Sequence, residues 1–300
     1  MKKFLLCAFA AAISIGASAE TMRLSSITDV ASWGGTDDVT KLEYDSEGRL
    51  VKASDDESVC TIDYSSLGEK KIGLTYVDVS DNDVTVFELV LNDDGLVESA
   101  KEYFQGIMIA SYTFGYEDGY LVNYKDIRGK QTEETRLTYD NGVIMRQDYI
   151  DGESAKDNSS KIFEYDGVLN TGNLMLFDEL FGVDLDEMEY VAMAGFMGKA
   201  PAQLPVKYTE IEDNESEYGS FTWTLDADGY PVKLESRYDR ETDVTVFAWE
   251  ADNAAVGTVL MDKDMQPEYY SIDGHKATSD SKGIVIERCA NGIVRKYINM

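Results

Sequence analysis

The chain has 300 residues, of which 43% are hydrophobic, and its 57 acidic residues against 27 Lys and Arg give a formal net charge of −30. So large an excess of acid repels nucleic-acid phosphates and anionic lipid headgroups, which excludes nucleic acid as an expected partner. The length and apolar content are sufficient to bury the core of one large domain or two smaller ones.

Residues 1–19 have the three parts of a secretory signal peptide. Lys2 and Lys3 precede an apolar run that is too short to span a bilayer, and Ala17-Ser18-Ala19 forms a small-residue cleavage site. We predict cleavage after Ala19 and export to the periplasm, the cell surface or the medium, with no later transmembrane helix. Cys7 follows the lysines too closely for a lipid-modification site, so we interpret it as a residue that is removed with the signal peptide.

Cys60 and Cys289 are the cysteines of the expected mature chain. An oxidising compartment would allow a disulfide between them. Two free, buried thiols fit the sequence equally well, and both alternatives stay open at this stage.

A short unit recurs along the chain: two apolar residues at alternate positions, an acidic turn, a glycine and a second apolar run. Asp and Asn tolerate turns, glycine supplies the positive φ of a tight hairpin, and the flanks alternate with the period of a half-buried strand. The pattern predicts an all-β, antiparallel hairpin meander over residues 20–267, with closure into a barrel left open. The predicted turn glycines are Gly48, Gly95, Gly119, Gly142, Gly167 and Gly229, with a weaker copy at Gly68.

The interval between Gly167 and Gly229 is 62 residues, which leaves room for an insertion at about 170–205. Its apolar residues have the spacing of one helix face. Asp186 and Glu189 are candidates to cap that helix, and Pro201 and Pro205 to end it. We predict one or two short helices packed on the sheet, as core rather than as a ligand-binding lid. The apolar face comprises Met188, Val191, Ala192, Gly195 and Phe196.

The tyrosine–aspartate–glycine hairpins and the late helical insertion, over about 40–250, resemble a family of secreted Gram-negative proteins of unknown function. The resemblance implies a porin-like β fold and no catalytic residues. Residues 268–300 resemble a type IX secretion sorting tail, through Tyr270-Ser-Ile272-Asp273-Gly274-His275, Lys282-Gly283 and Gly292. A terminal β-hairpin that completes a sheet is the alternative for this segment.

The sequence gives little support for catalysis. His275 is the only histidine, so a Ser–His–Asp or Cys–His nucleophile and a multi-ligand zinc site both lack their parts. No glycine-rich phosphate loop precedes a helix. Paired carboxylates of the kind that glycosidases use are unavoidable among so many acids and carry no information on their own. We predict a non-enzymatic protein with no catalytic residues and no cofactor.

Calcium is the most plausible ion, since oxygen ligands cluster at three turns. None of these clusters fits the twelve-residue calcium loop, and turn chemistry also explains them. They are Asp45-Ser46-Glu47, Asn92-Asp93-Asp94 and Asp226-Ala227-Asp228.

The leading hypothesis is an exported envelope or surface protein that acts as a binding or structural module for an unknown ligand, glycan or protein. Its 19 tyrosines and three tryptophans suit such ligands but are also ordinary strand residues. An outer-membrane porin-like channel and a secreted carbohydrate-active hydrolase are the alternatives. Charges on both faces of the strands, such as Glu98 and Lys101, favour a water-soluble mature protein over a membrane barrel.

Overall fold

A computed structural model describes residues 22–31, 35–213, 215–239 and 241–251, together with the backbone of four strands between 268 and 299. The predicted signal peptide, Cys289 and His275 lie outside the described residues. The chain divides into two compact units, of which the first contains the sixteen strands of a barrel and the second contains the four C-terminal strands.

The first unit is a closed, antiparallel barrel in which each strand pairs with its neighbours in sequence. It closes where β1 meets β16, over a ladder from Met22–Ala251 to Asp29–Thr245. The all-β hairpin meander is therefore confirmed, and the sheet is closed. The strands are β1 Met22–Asp29, β2 Asp38–Tyr44, β3 Leu50–Ser54, β4 Ser58–Asp63, β5 Lys71–Asp78, β6 Val84–Leu91, β7 Val97–Phe104, β8 Ile107–Glu117, β9 Tyr120–Arg128, β10 Gln131–Asp140, β11 Val143–Asp151, β12 Ser159–Glu164, β13 Lys207–Glu212, β14 Glu215–Leu225, β15 Pro231–Tyr238 and β16 Glu241–Ala251.

The predicted turn glycines lie at one end of the barrel, which we call the motif end. Gly48, Gly95, Gly119, Gly142 and Gly229 each connect two paired strands, with φ between +79° and +89°. Gly167 has φ +98° but leads from β12 into the inserted segment, so it does not close a tight hairpin. Gly68 differs from the other copies, since it lies in a short 3-10 helix, Leu67–Glu69, and the left-handed position falls on Lys70 (φ 59°). We call the opposite end of the barrel the far end.

Each of five motif-end hairpins contains a β-bulge shortly after its turn. In the first of them Glu43 pairs with Lys52 and Tyr44 with Leu50, so that Val51 is skipped. Bulges of this kind increase strand twist and redirect side chains, which helps a sheet to curve into a barrel. The skipped residues are Val51, Glu98, Val122, Met145 and Val232.

The insertion between β12 and β13 fills the barrel. It contains α1 (Phe177–Phe181), a 3-10 turn (Asp186–Met188) and α2 (Glu189–Met193). We call residues 170–205 the plug, because its buried side chains form one continuous core with the inward side chains of strands on every side of the barrel. The plug enters at the motif end, where the amides of Lys199 and Ala202 each donate to a turn carbonyl at 2.8 Å.

The helix in the plug differs from its predicted bounds. It begins at Glu189 with no side-chain cap and ends at Met193, well before Pro201, because Gly195 takes a φ of +86°. Asp186 does not cap it but has φ +48° and turns its carboxylate to the barrel wall. The plug also lies inside the barrel rather than on an open sheet. Met188 and Val191 are fully buried as predicted, whereas Phe196 is half-buried against the ring of Tyr64.

The second unit is an antiparallel sheet with the order β18-β17-β19-β20. Its strands are β17 Glu268–Ser271, β18 Lys276–Ala277, β19 Gly283–Arg288 and β20 Val294–Asn299. The tail thus has a sheet of its own, and its predicted sorting role stays a prediction. The described part of the chain contains no helix with the length and hydropathy of a membrane span.

Candidate functional site

The outer face of the barrel wall carries ion pairs, both between neighbouring strands and within single strands. Lys52 lies 2.6 Å from Glu43, and Lys125 lies 3.3 Å from Glu134. Further outer pairs are Arg146–Asp148, Lys207–Glu164 and Lys233–Glu235. The inner face is mostly apolar, so the pattern is apolar inside and charged outside. A barrel in lipid needs the opposite arrangement on its outer surface.

An arginine near the far end joins the plug to the wall. The guanidinium of Arg128 donates to Asp126 Oδ2 at 2.7 Å and to Asp186 Oδ2 at 2.9 Å. It also donates to the hydroxyl of Tyr112 at 2.8 Å and lies 3.3 Å from Glu102 Oε2. Because Glu102, Tyr112 and Arg128 lie on β7, β8 and β9, this network ties the plug to three wall strands.

A cavity of about 350 Å³ adjoins this network. Partial burial, followed by the charge of Asp184, raises the pKa of Asp186, and Arg128 opposes the shift. Oδ1 of Asp126 is buried without a hydrogen-bond partner among the described residues. The excess of carboxylates would favour a cation over an anion as an occupant. The lining residues are Tyr124, Asp126, Arg128, Glu133, Thr135, Tyr149, Gly182, Asp184 and Asp186.

In the acidic turns considered as calcium sites, side-chain oxygens accept hydrogen bonds from main-chain amides of the same turn. Asp45 Oδ1 accepts the amide of Arg49 at 3.0 Å, and Asp226 Oδ1 accepts the amides of Asp228 and Tyr230 at 2.9 Å. Asn92 Oδ1 does the same for the amides of Asp94 and Leu96. Within the described residues no group of three or more His, Cys, Asp or Glu is arranged to hold a metal ion. Turn formation is sufficient to explain these residues.

Cys60 is a free cysteine buried in the barrel interior. Burial, with a smaller contribution from Glu187, raises the pKa of its thiol to about 12. A thiol that stays protonated is a poor nucleophile and a poor metal ligand. Cys60 therefore contributes to packing, and Cys289, with which a disulfide was one of two alternatives, lies outside the described residues.

Aromatic residues of the repeat bridge gaps in main-chain pairing between neighbouring hairpins, which the sequence did not predict. Except between β5 and β6, the ladder between consecutive hairpins stops short of the motif end; between β3 and β4, for example, it ends at Lys52–Thr61. We call each such gap a seam. In six seams an aromatic side chain donates a hydrogen bond to a main-chain carbonyl on the other side of the seam. The pairs are Tyr44 to Leu24, Tyr64 to Leu50, Tyr116 to Val97, Tyr165 to Ile144, Trp223 to Pro205 and Trp249 to Pro231.

Four of these bonds follow one rule. In each, the acceptor lies on the second strand of the previous hairpin and pairs with the last apolar residue of that hairpin's first strand. Leu50 pairs in this way with Tyr44, and Val97 with Leu91. The recurrence of tyrosine before the acidic turn could have suggested a structural role for its hydroxyl. Its acceptor could not be predicted, because it lies on the neighbouring hairpin.

The closed antiparallel barrel defines a porin-like class of fold. Residues 42–233 match a family described as a domain of unknown function with a porin-like fold (DUF4595), and the chain belongs to that family. The chain is similar to a crystal structure of a porin-like protein from Bacteroides uniformis ATCC 8492, at 17% identity and a TM-score of 0.61, covering 76% of this chain and 98% of the other.

A porin-like protein from Bacteroides vulgatus ATCC 8482 is similar at 13% identity and a TM-score of 0.53, covering 76% of this chain and 99% of the other. At these identities the likeness shows the fold and nothing further. No curated protein matches the chain.

Proposed function

We propose that the chain is an exported, water-soluble binding module built on a porin-like barrel, with neither a channel nor a catalytic centre. The observation that carries this proposal is the combination of a filled lumen and a charged outer wall. Met188, Val191 and Leu204 in the plug are fully buried, so the barrel interior is core. A pore would instead need a polar, water-filled lumen and an apolar outer band.

The alternative of a porin-like channel is tested by expressing residues 20–300 without detergent and measuring size-exclusion behaviour and bilayer conductance. We expect a monodisperse soluble species that produces no conductance steps. Recovery only in detergent micelles, together with stepwise conductance, would contradict the proposal and favour the channel.

A carbohydrate-active hydrolase is the second candidate, because the far-end cavity contains several carboxylates and the pKa of one of them, Asp186, is raised. The contacts of Arg128 with Asp126 and Asp186 favour a structural role, since an ion-paired carboxylate is a poor general acid. Release of reducing ends from a polysaccharide panel, lost in the variant Asp186→Asn but retained in Asp226→Asn, would support the hydrolase. We expect no release from either.

A further inference from the structure

The seam between β9 and β10 breaks the sealing rule. The ladder between these strands ends at Arg136–Asn123, and Tyr139 occupies the sealing position. By the rule its hydroxyl should donate to Leu121, which stands opposite Tyr116 in the previous hairpin. Instead the hydroxyl of Tyr139 is buried without a hydrogen-bond partner among the described residues.

A cavity of about 710 Å³ opens at this seam. Val122, the bulge residue of the hairpin, lies at its edge, and the rings of Tyr120 and Tyr139 pack with centroids 4.9 Å apart in its lining. The volume falls within the ~300–1,000 Å³ typical of small-molecule sites. A buried hydroxyl without a partner calls for an explanation, and a ligand group in the cavity could reach it by displacing the side chains that cover it.

The lining contains both hydrogen-bond donors and acceptors around the pair of tyrosine rings. Asn123 and Asn141 contribute amides, Thr138 contributes a hydroxyl, and Arg136 contributes donors. The charge of Arg136 is engaged by Glu134, which lies 2.6 Å away and also accepts from the Asn123 amide at 2.6 Å. Hydrogen bonding to Arg136 lowers the pKa of Glu134 to about 2, so the Glu134 carboxylate stays charged above that pH.

We propose that this seam is a binding site for a neutral sugar of one or two hexose units. Sugar hydroxyls both donate and accept, as do the amides and hydroxyls of the lining, and the apolar face of a sugar ring suits tyrosine. The seam lining also contains two carboxylates, of Glu117 and Asp118, beside Arg136, whereas the far-end cavity has four carboxylates against one guanidinium and is matched more strongly to charge. This inference rests on the proposed binding function and gives it a site and a ligand class.

The test compares two tryptophan substitutions in the mature chain, residues 20–300. Thr138→Trp fills the cavity at an exposed position beside Tyr139. Thr222→Trp is the matched control, because Thr222 is an exposed threonine beside Trp223, which seals its own seam through a 2.8 Å bond to Pro205. Maltose and cellobiose are titrated into the wild type and both variants by calorimetry and by ¹H–¹⁵N NMR.

We expect at least one disaccharide to bind the wild type and the Thr222→Trp variant equally, and to lose at least ten-fold in affinity for the Thr138→Trp variant. Tyr139→Phe provides a second measurement and should weaken binding several-fold while the protein stays folded. Binding that survives Thr138→Trp would overturn the seam site. Absence of binding by either sugar would overturn the ligand class, and neither result would make the barrel a channel, so the two proposals fail separately.

Discussion

The wall and the plug are built on different principles. The wall repeats one hairpin. Its turn is held by local bonds, such as the one from the Arg49 amide to Asp45, and its sealing ring bonds to the neighbouring hairpin, as Tyr64 does to Leu50. The plug occurs once, repeats nothing, and is held by apolar burial on all sides. The wall therefore adds many small polar contributions to its packing, whereas the plug depends on the burial of large apolar side chains.

The two regions also treat acids differently. Wall acids at exposed turns, such as Asp63 and Asp78, accept hydrogen bonds from nearby serines, which lower their pKa values. In the plug, burial raises the pKa values of Glu187 and Glu189, which are both partly shielded from solvent. The folded wall therefore stabilises the charged form of its carboxylates, whereas the folded plug stabilises the protonated form.

The largest effect should come from truncating the plug. Met188→Ala removes a fully buried side chain from a packed core and should cost about 2–5 kcal/mol of unfolding free energy. Met145→Ala, at the 38% exposed bulge residue of the wall, should cost no more than about 0.5 kcal/mol. Urea denaturation of both variants measures the difference, and equal midpoints would show that the plug is not a core element.

The second effect is a pH dependence that belongs to the plug. Burial raises the pKa of Glu189 from 4.5 to about 7, against the opposing hydrogen bonds from the amides of Asp178 and Phe177. A raised carboxyl pKa stabilises the fold below pH 4.5, and this contribution is lost as pH rises to 7, because the unfolded chain releases the proton first. The loss is about 3 kcal/mol.

Glu189→Gln should remove this dependence and make the variant more stable than the wild type at pH 8. Denaturation midpoints measured from pH 4 to pH 8 provide the check, with the contribution of Glu189 read as the difference between the two curves. Parallel curves would mean that Glu189 is ionised within the folded protein and that the plug tolerates its charge.

The third effect tests the turn chemistry of the wall. Gly95→Ala meets no atom within 4 Å, so its expected cost of about 1–2 kcal/mol comes only from the strain of φ +79°. Gly68→Ala also meets no atom within 4 Å but lacks the positive φ, and should be neutral or stabilise by about 0.4–1 kcal/mol. Thermal denaturation of the pair isolates backbone conformation, and equal shifts would refute the turn assignment.

These two regions also differ in how far the sequence predicts them. The turn glycines and the alternation of apolar residues in the strands are local signals, so the all-β hairpin fold could be predicted from the sequence. The seam acceptors and the closure of β1 on β16 depend on strands that are distant in sequence, and the bulges at Val51 and Val122 depend on the pairing register within a hairpin. No local pattern specifies either. The plug shows the limit most clearly, because the helical spacing continues to Phe196 while Gly195 ends the helix in three dimensions.

The smallest effect separates a sealed seam from the open one, and it bears on the candidate site. Tyr116→Phe removes a hydroxyl that donates to the Val97 carbonyl at 2.7 Å, which should cost about 1 kcal/mol. Tyr139→Phe removes a buried hydroxyl that has no partner among the described residues, so the same change should cost nothing or stabilise slightly.

Calorimetric unfolding of both variants, free and with disaccharide, distinguishes them. A sugar that binds at the seam should stabilise the Tyr116→Phe variant as much as the wild type and the Tyr139→Phe variant less. If both variants lose equal stability without sugar, the hydroxyl of Tyr139 has a partner after all, and the argument that the β9–β10 seam is unsealed fails.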